Sequence, residues 1–213
     1  MSKKMCLVIG LVMVFMSIVG SASAETLLGK NYVGGTFGVF QFGDDELDEA
    51  MGNGYGLDVI GNINVTPHID LQLAVGYVWS DGEAFGIEVD ATSIGGRAEY
   101  VFFLNPNEKM NPYIGAGIVV VKTEIDISDS SRSTSADETD TGFGGKVGVE
   151  LEFTEQVLFN FGLGYIYFED EDSVDLNAGV GYWFNDRIMG ALNGSYDFES
   201  EDSLASVGLI FKL

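Results

Sequence analysis

With 33 acidic against 10 basic residues, this chain of 213 residues carries a formal charge of −23, and so acidic a chain excludes nucleic acid as a partner because phosphate recognition needs a basic face. The length suits a single domain, and 29 Gly with only three Pro fit strands that bend and pack closely.

The chain begins Met1-Ser2-Lys3-Lys4, runs apolar from Met5 to Gly20, and then gives the small residues Ser21-Ala22-Ser23-Ala24. A basic start, an apolar run and an Ala-x-Ala-like site predict a secretory signal peptide over 1–24, cleaved after Ala24. The apolar run, at about 16 residues, is shorter than the roughly 20 that a spanning helix needs. Cys6 lies inside it, so cleavage leaves residues 25–213 without a thiol, and loss of Lys3 and Lys4 makes the charge −25.

Residues 25–213 then read as ten strands: Asn31–Phe42, Tyr55–Val65, Ile69–Trp79, Asp90–Leu104, Pro112–Glu124, Gly142–Phe153, Val157–Glu169, Val174–Phe184, Ile188–Phe198 and Ser203–Leu213. Apolar side chains recur at every second position, as in Ile69, Leu71, Leu73, Val75, Tyr77 and Trp79, which is strand periodicity. Eight strands is the alternative count, reached by merging two segments. Connections alternate between short ones (66–68, 105–111, 154–156, 185–187) and mostly longer acidic ones (43–52, 80–89, 126–141, 170–173, 199–202). The Ser/Thr/Asp-rich segment 126–141 has almost no apolar content and is expected to be a mobile loop.

Parity alone does not say which face is inside. A lipocalin-like or sandwich protein would bury the apolar face, whereas a membrane barrel turns it to lipid. Bulk decides: the polar face is rich in Gly, Ala, Ser and Asn, which fit a narrow lumen, and the apolar face carries the rings. Aromatics gather near strand ends, Tyr77 and Trp79 at one and Tyr100, Phe102, Tyr113, Phe153, Phe159, Tyr182 and Phe184 at the other, as membrane-interface girdles do.

These features, with Gly-aromatic pieces such as Gly162-Leu163-Gly164-Tyr165 and Gly179-Val180-Gly181-Tyr182 and the closing strand Ala205–Leu213, resemble the small OmpA/OmpX-like, porin-related outer-membrane β-barrels. The resemblance implies an all-β, closed, antiparallel up-and-down transmembrane barrel in a bacterial outer membrane, reached through the periplasm. It also implies outer-membrane lipid as surroundings and recognition of the C-terminal strand by the barrel assembly machinery. In that family the last residue is usually Phe; here Phe211 stands two residues before Leu213.

Parity places Asp58, Asp70, Arg97, Glu99, Lys122, Glu124, Lys146, Glu150, Glu152, Asp175, Asp197 and Lys212 on the lumen side. Arg97, Glu99, Lys122, Lys146, Glu150 and Glu152 are the candidate lumen charge network, since charges cannot face lipid cheaply. Asp44, Asp45, Glu46, Asp137, Glu138, Asp170, Glu171 and Asp172 are candidate acidic outer loops that could bind divalent cations weakly. No cofactor, resident metal or catalytic set is expected, and the single His68 falls in a turn on the wrong side for surface chemistry. The function expected is a monomeric structural or surface-interaction barrel, with a narrow cation-preferring channel as the alternative.

Overall fold

Ten stretches of period-two patterning become ten strands. The computed structural model describes residues 28–43, 54–84, 87–104, 109–129, 132–154, 156–169 and 172–213. The strands are β1 Tyr32–Gln41, β2 Gly54–Thr66, β3 Ile69–Ala84, β4 Ile87–Phe103, β5 Met110–Asp129, β6 Arg132–Glu152, β7 Val157–Tyr167, β8 Asp172–Asn185, β9 Ile188–Asp197 and β10 Ser203–Lys212. Each pairs antiparallel with its sequence neighbours, and β1 pairs with β10 from Tyr32↔Lys212 to Gln41↔Ser203, which closes the barrel. Closure satisfies the backbone groups that an open edge would leave bare, a requirement in lipid. The seam is fastened beyond the strands by the Leu213 N–H, which donates to the Asn31 carbonyl at 3.0 Å.

Alternation sets the two surfaces. On β10, Leu204, Ser206, Gly208 and Ile210 face in, while Ala205, Val207, Leu209 and Phe211 face out. Leu57, Val59, Val75, Ile114, Val147 and Leu192 continue the outer apolar surface around the barrel. Each such side chain left in water forgoes about 1.5–3 kcal/mol of burial free energy, so this surface is matched to lipid. Tyr55 stacks on Trp79 at 5.9 Å and Tyr77 on Trp79 at 5.8 Å at one end. At the other, Phe153 meets Phe159 at 5.9 Å and Tyr182 meets Phe184 at 5.5 Å. Both aromatic clusters expected from sequence form, but without Tyr113, which turns inward.

The ends differ. The turn end carries the 66–68 and 185–187 turns, the bonds from Phe153 and Thr154 N–H to the Val157 carbonyl, the start of β1 and the end of β10. The opposite, hairpin end is extended, because β3–β4 pair on to Ala84↔Ile87 and β5–β6 to Asp129↔Arg132. The expectation of a mobile loop over 126–141 is therefore corrected: within the described residues this segment is paired strand. Its apolar support comes from elsewhere, since Val89, Ala91, Val121 and Ile125 on the adjoining strands are buried along the same inner face.

Candidate functional site

The lumen is where this fold concentrates polar chemistry. On β4, the inward positions Arg97 and Glu99 are two residues apart, so both point to one face. Arg97 Nη2 donates to Glu99 Oε1 at 2.5 Å, and Lys146 Nζ from β6 lies 2.7 Å from Glu99 Oε2 and donates to Gln72 Oε1 on β3 at 2.6 Å. Four strands, β3 to β6, are thus spanned by one cluster. The intervening β5 makes room with Gly115: a Cβ there would stand 3.1 Å from both Glu99 Oε1 and the Lys146 stem. Lys146 also sits 5.8 Å from the Tyr113 ring centroid. Tyr113 reaches over Gly148 of β6 to donate to Asn160 Oδ1 on β7 at 3.2 Å. Glu99 is only 1% exposed, so its charge is held by these two cations rather than by water.

The turn-end mouth is closed by the segment before β1. Leu28 is buried against Val101, Phe103 and Tyr113. Its N–H donates to Glu150 Oε2 at 3.3 Å, and the Gly29 N–H donates to Asp70 Oδ2 at 2.8 Å. Gly29 takes φ +76°, a left-handed conformation that costs glycine little, and this lets successive amides reach carboxylates on β6 and β3. Lys30 Nζ lies 5.9 Å from the Trp183 ring, and Asn62 donates to the Lys30 carbonyl at 2.7 Å. Two interior voids, one beside Tyr32, Ile60, Arg97 and Glu99 and one beside Leu158, Asn160, Met189 and Asn193, are about 10 Å³ each, room for a single water. A hollow of about 800 Å³ is lined mainly by outward residues such as Phe37, Leu57 and Tyr182, with Thr36 and Asp58 of the inner face also in its wall.

Toward the hairpin end the lumen holds Asp58, which accepts from the Thr36 hydroxyl at 3.2 Å, and a hydroxyl pair, Ser93 and Thr123, at 2.9 Å. Asp197 accepts from the Glu199 and Ser200 N–H groups at 2.8 and 3.0 Å and from the Ser173 hydroxyl. Asp175 accepts from the Asn177 amide at 3.1 Å.

Of the residues assigned to the lumen network, Arg97, Glu99 and Lys146 come together. Glu150 is buried but serves the mouth, and Glu152 lies exposed at the rim. Lys122 is a correction: its side chain is 48% exposed on the outward face of β5, 4.0 Å from Asp137 of β6. Glu124 faces outward with it. The parity of β5 misleads because Ile114 to Val121 is apolar on both faces, and the charges begin only where the strand rises above the outer apolar band. Tyr113 is a second correction, an inward hydrogen-bonding ring and not a girdle residue. Asp137, Glu138 and Asp172 are exposed at the hairpin end, whereas Asp44, Asp45, Glu46, Asp170 and Glu171 lie outside the described residues. His68 is exposed in its turn, its Nδ1 3.1 Å from the Phe103 carbonyl. Among the described residues no group of three or more His, Cys, Asp or Glu is gathered for a metal ion.

Sequence reasoning missed Leu28 to Lys30, Gln72 and Asn160. Leu28-Gly29-Lys30 carries no strand periodicity, and neutral amides on a polar face give no signal above that of any lumen residue.

Comparison with known proteins agrees with this geometry. Residues 9–206 match the family described as outer membrane protein beta-barrel domain. The translocator domain of the autotransporter NalP from Neisseria meningitidis superposes with a TM-score of 0.59 at 10% identity, covering 100% of this chain and 98% of that one. Ail, the attachment invasion locus protein of Yersinia pestis, gives 0.43 at 14% identity over 86% of this chain and 97% of that one. The N-terminal barrel of Pseudomonas aeruginosa OprF gives 0.34 at 17% identity over 87% and 99%. At 10% identity the likeness to the NalP translocator domain is one of fold. Comparison with curated proteins finds no match.

Proposed function

The chain belongs to the outer-membrane β-barrel family, and on that premise we propose that it is a closed structural barrel that presents an acidic hairpin surface, not a solute channel. A member of this family sits in the bacterial outer membrane, among its lipids. The observation that carries the reading is the filled lumen: the Gln72–Glu99–Arg97–Lys146 cluster, the Tyr113–Asn160 bridge and the Leu28–Lys30 plug leave voids of only about 10 Å³ beside them. Ten strands enclose little more than side chains can fill, so a wide pore is not available. The β3–β6 extension, with Asp137 and Glu138 exposed, is the surface for contact outside the cell. No catalytic residue enters this reading. The protein acts as a monomer, is inserted through its C-terminal strand by the assembly machinery, and loses residues 1–24 on export.

One observation favours a second reading, a narrow cation-preferring channel. Buried carboxylates on the inner wall, including Asp58, Asp70, Glu150, Asp175 and Asp197, outnumber the buried cations Arg97 and Lys146. Single-channel recording of the purified barrel in a planar bilayer separates the two. A silent, folded barrel is the expected result; regular cation-selective steps would replace the structural reading with the channel.

A further inference from the structure

The β5–β6 ladder runs without a register shift from Met110↔Leu151 to Asp129↔Arg132, whereas β7 leaves β6 at the Phe143↔Tyr167 rung. Beyond that rung the far edge of β6, from Arg132 to Thr141, pairs with no strand among the described residues. A strand paired on one side only turns every second N–H and C=O toward open space. At about 3.4 Å per residue this edge is roughly 34 Å long. Thr134 to Thr139 are exposed on both faces of the sheet, so solvent reaches the edge.

Edges of this length are ordinarily blunted by Pro, Lys, a bulge or a covering segment. Residues 132–141 contain no Pro and no Lys, and the ladder has no bulge. The guard present is acid. Asp137 and Glu138 are exposed on opposite faces, and the sheet beside them adds Asp81, Asp90, Glu124 and Asp126 against Lys122 and Arg132. Asp81 faces Asp90, Asp90 faces Asp126 and Glu124 faces Asp137 across adjacent strands, like-charge pairs that repel. A second copy meeting this edge would add acid to acid, and segment 44–53 between β1 and β2 is acidic too. The occupant that relieves the repulsion is a strand of opposite charge.

We propose that the β6 edge takes up an extended, basic segment of another protein as an added strand, an assignment that rests on the reading of the hairpin end as the surface for contact outside the cell. Main-chain hydrogen bonds along 132–141 hold the guest, and side chains select it. Guest residues opposite Asp137 and Glu138 fall on the two faces of the sheet, so consecutive Lys or Arg residues meet both carboxylates. Thr134, Ser135 and Thr139 offer hydroxyls to the neighbours of that basic pair.

The test uses the full barrel in detergent and a synthetic Thr/Val peptide with a central Lys-Arg pair. Binding is expected, and the amides of residues 134–141 that exchange rapidly with solvent in the free barrel are expected to become protected. A copy of the peptide N-methylated along its backbone keeps the charge but loses the donors, and is expected to bind at least about tenfold more weakly. The double variant Asp137→Asn/Glu138→Gln, checked for its boiling-dependent gel shift, is expected to weaken binding roughly two- to tenfold. No binding of the parent peptide overturns the proposal. So does equal binding of the N-methylated copy, which would reduce the contact to charge alone, or undiminished binding by the double variant. Protection of residues 134–141 before peptide is added also overturns it, since a second copy or the chain itself would then fill the edge. The closed-lumen reading fails separately, by conductance in the bilayer.

Discussion

Glu99→Gln isolates the lumen cluster. The substitution keeps volume and removes the single negative charge that Arg97 meets at 2.5 Å and Lys146 at 2.7 Å. All three residues are buried, so the variant leaves two like charges facing each other with little water to screen them. Breaking a buried ion pair from one side costs about 3–5 kcal/mol, against about 0–1 kcal/mol for a pair in water. For a chain of this size about 1 kcal/mol moves the unfolding temperature by roughly 2–4 °C, so the expected drop is on the order of 10 °C. The assay is the boiling-dependent shift in gel mobility, followed against temperature. Adding Lys146→Met to Glu99→Gln removes one stranded cation and is expected to recover part of the loss, a coupling that independent surface charges would not show. A drop under about 2 °C would refute the reasoning, because it would mean that the cluster is hydrated in an open lumen.

The remaining expectations use the same unfolding assay. Gly148→Ala places a Cβ 2.5 Å from the Phe161 carbonyl and against the Tyr113 hydroxyl, so it is expected to destabilise by about 1–3 kcal/mol, while Gly61→Ala, whose nearest neighbour is 3.8 Å away, stays neutral. Val75→Arg puts a charge on the lipid face in mid-strand and costs about 2–4 kcal/mol, whereas Lys122→Ala, exposed on the outward face of β5, changes stability by less than about 0.5 kcal/mol. Leu28→Ala removes the mouth plug from Val101, Phe103 and Tyr113 and costs about 2–3 kcal/mol.

Much of this molecule is legible in its sequence because a barrel in lipid writes its faces at period two. Ile69 to Trp79 and Ala205 to Leu213 fixed parity without help, and parity led directly to Arg97, Glu99 and Lys146. Where the pattern fails, the cause is local. From Ile114 to Val121, β5 is apolar on both faces, so the charges at Lys122 and Glu124 set the wrong parity. Segment 126–141 reads as loop because its own residues bury nothing, and the support from Val89, Ala91 and Ile125 belongs to other stretches of chain. Leu28 is invisible for the same reason: its partners lie on β4 and β5. Pairing across the barrel, and not local composition, decides these cases.

Adjacent single cysteines separate an apolar face turned to lipid around a closed lumen from the inverse arrangement. Ala74→Cys points inward and Val75→Cys outward from adjacent positions of β3, in a chain that carries no other thiol once residues 1–24 are lost. Reconstituted in bilayers, neither is expected to react with a water-soluble, membrane-impermeant maleimide before unfolding, and only Val75→Cys is expected to react with a lipid-dissolved one. Rapid labelling of Ala74→Cys by the water-soluble reagent would show a lumen open to water and contradict the account.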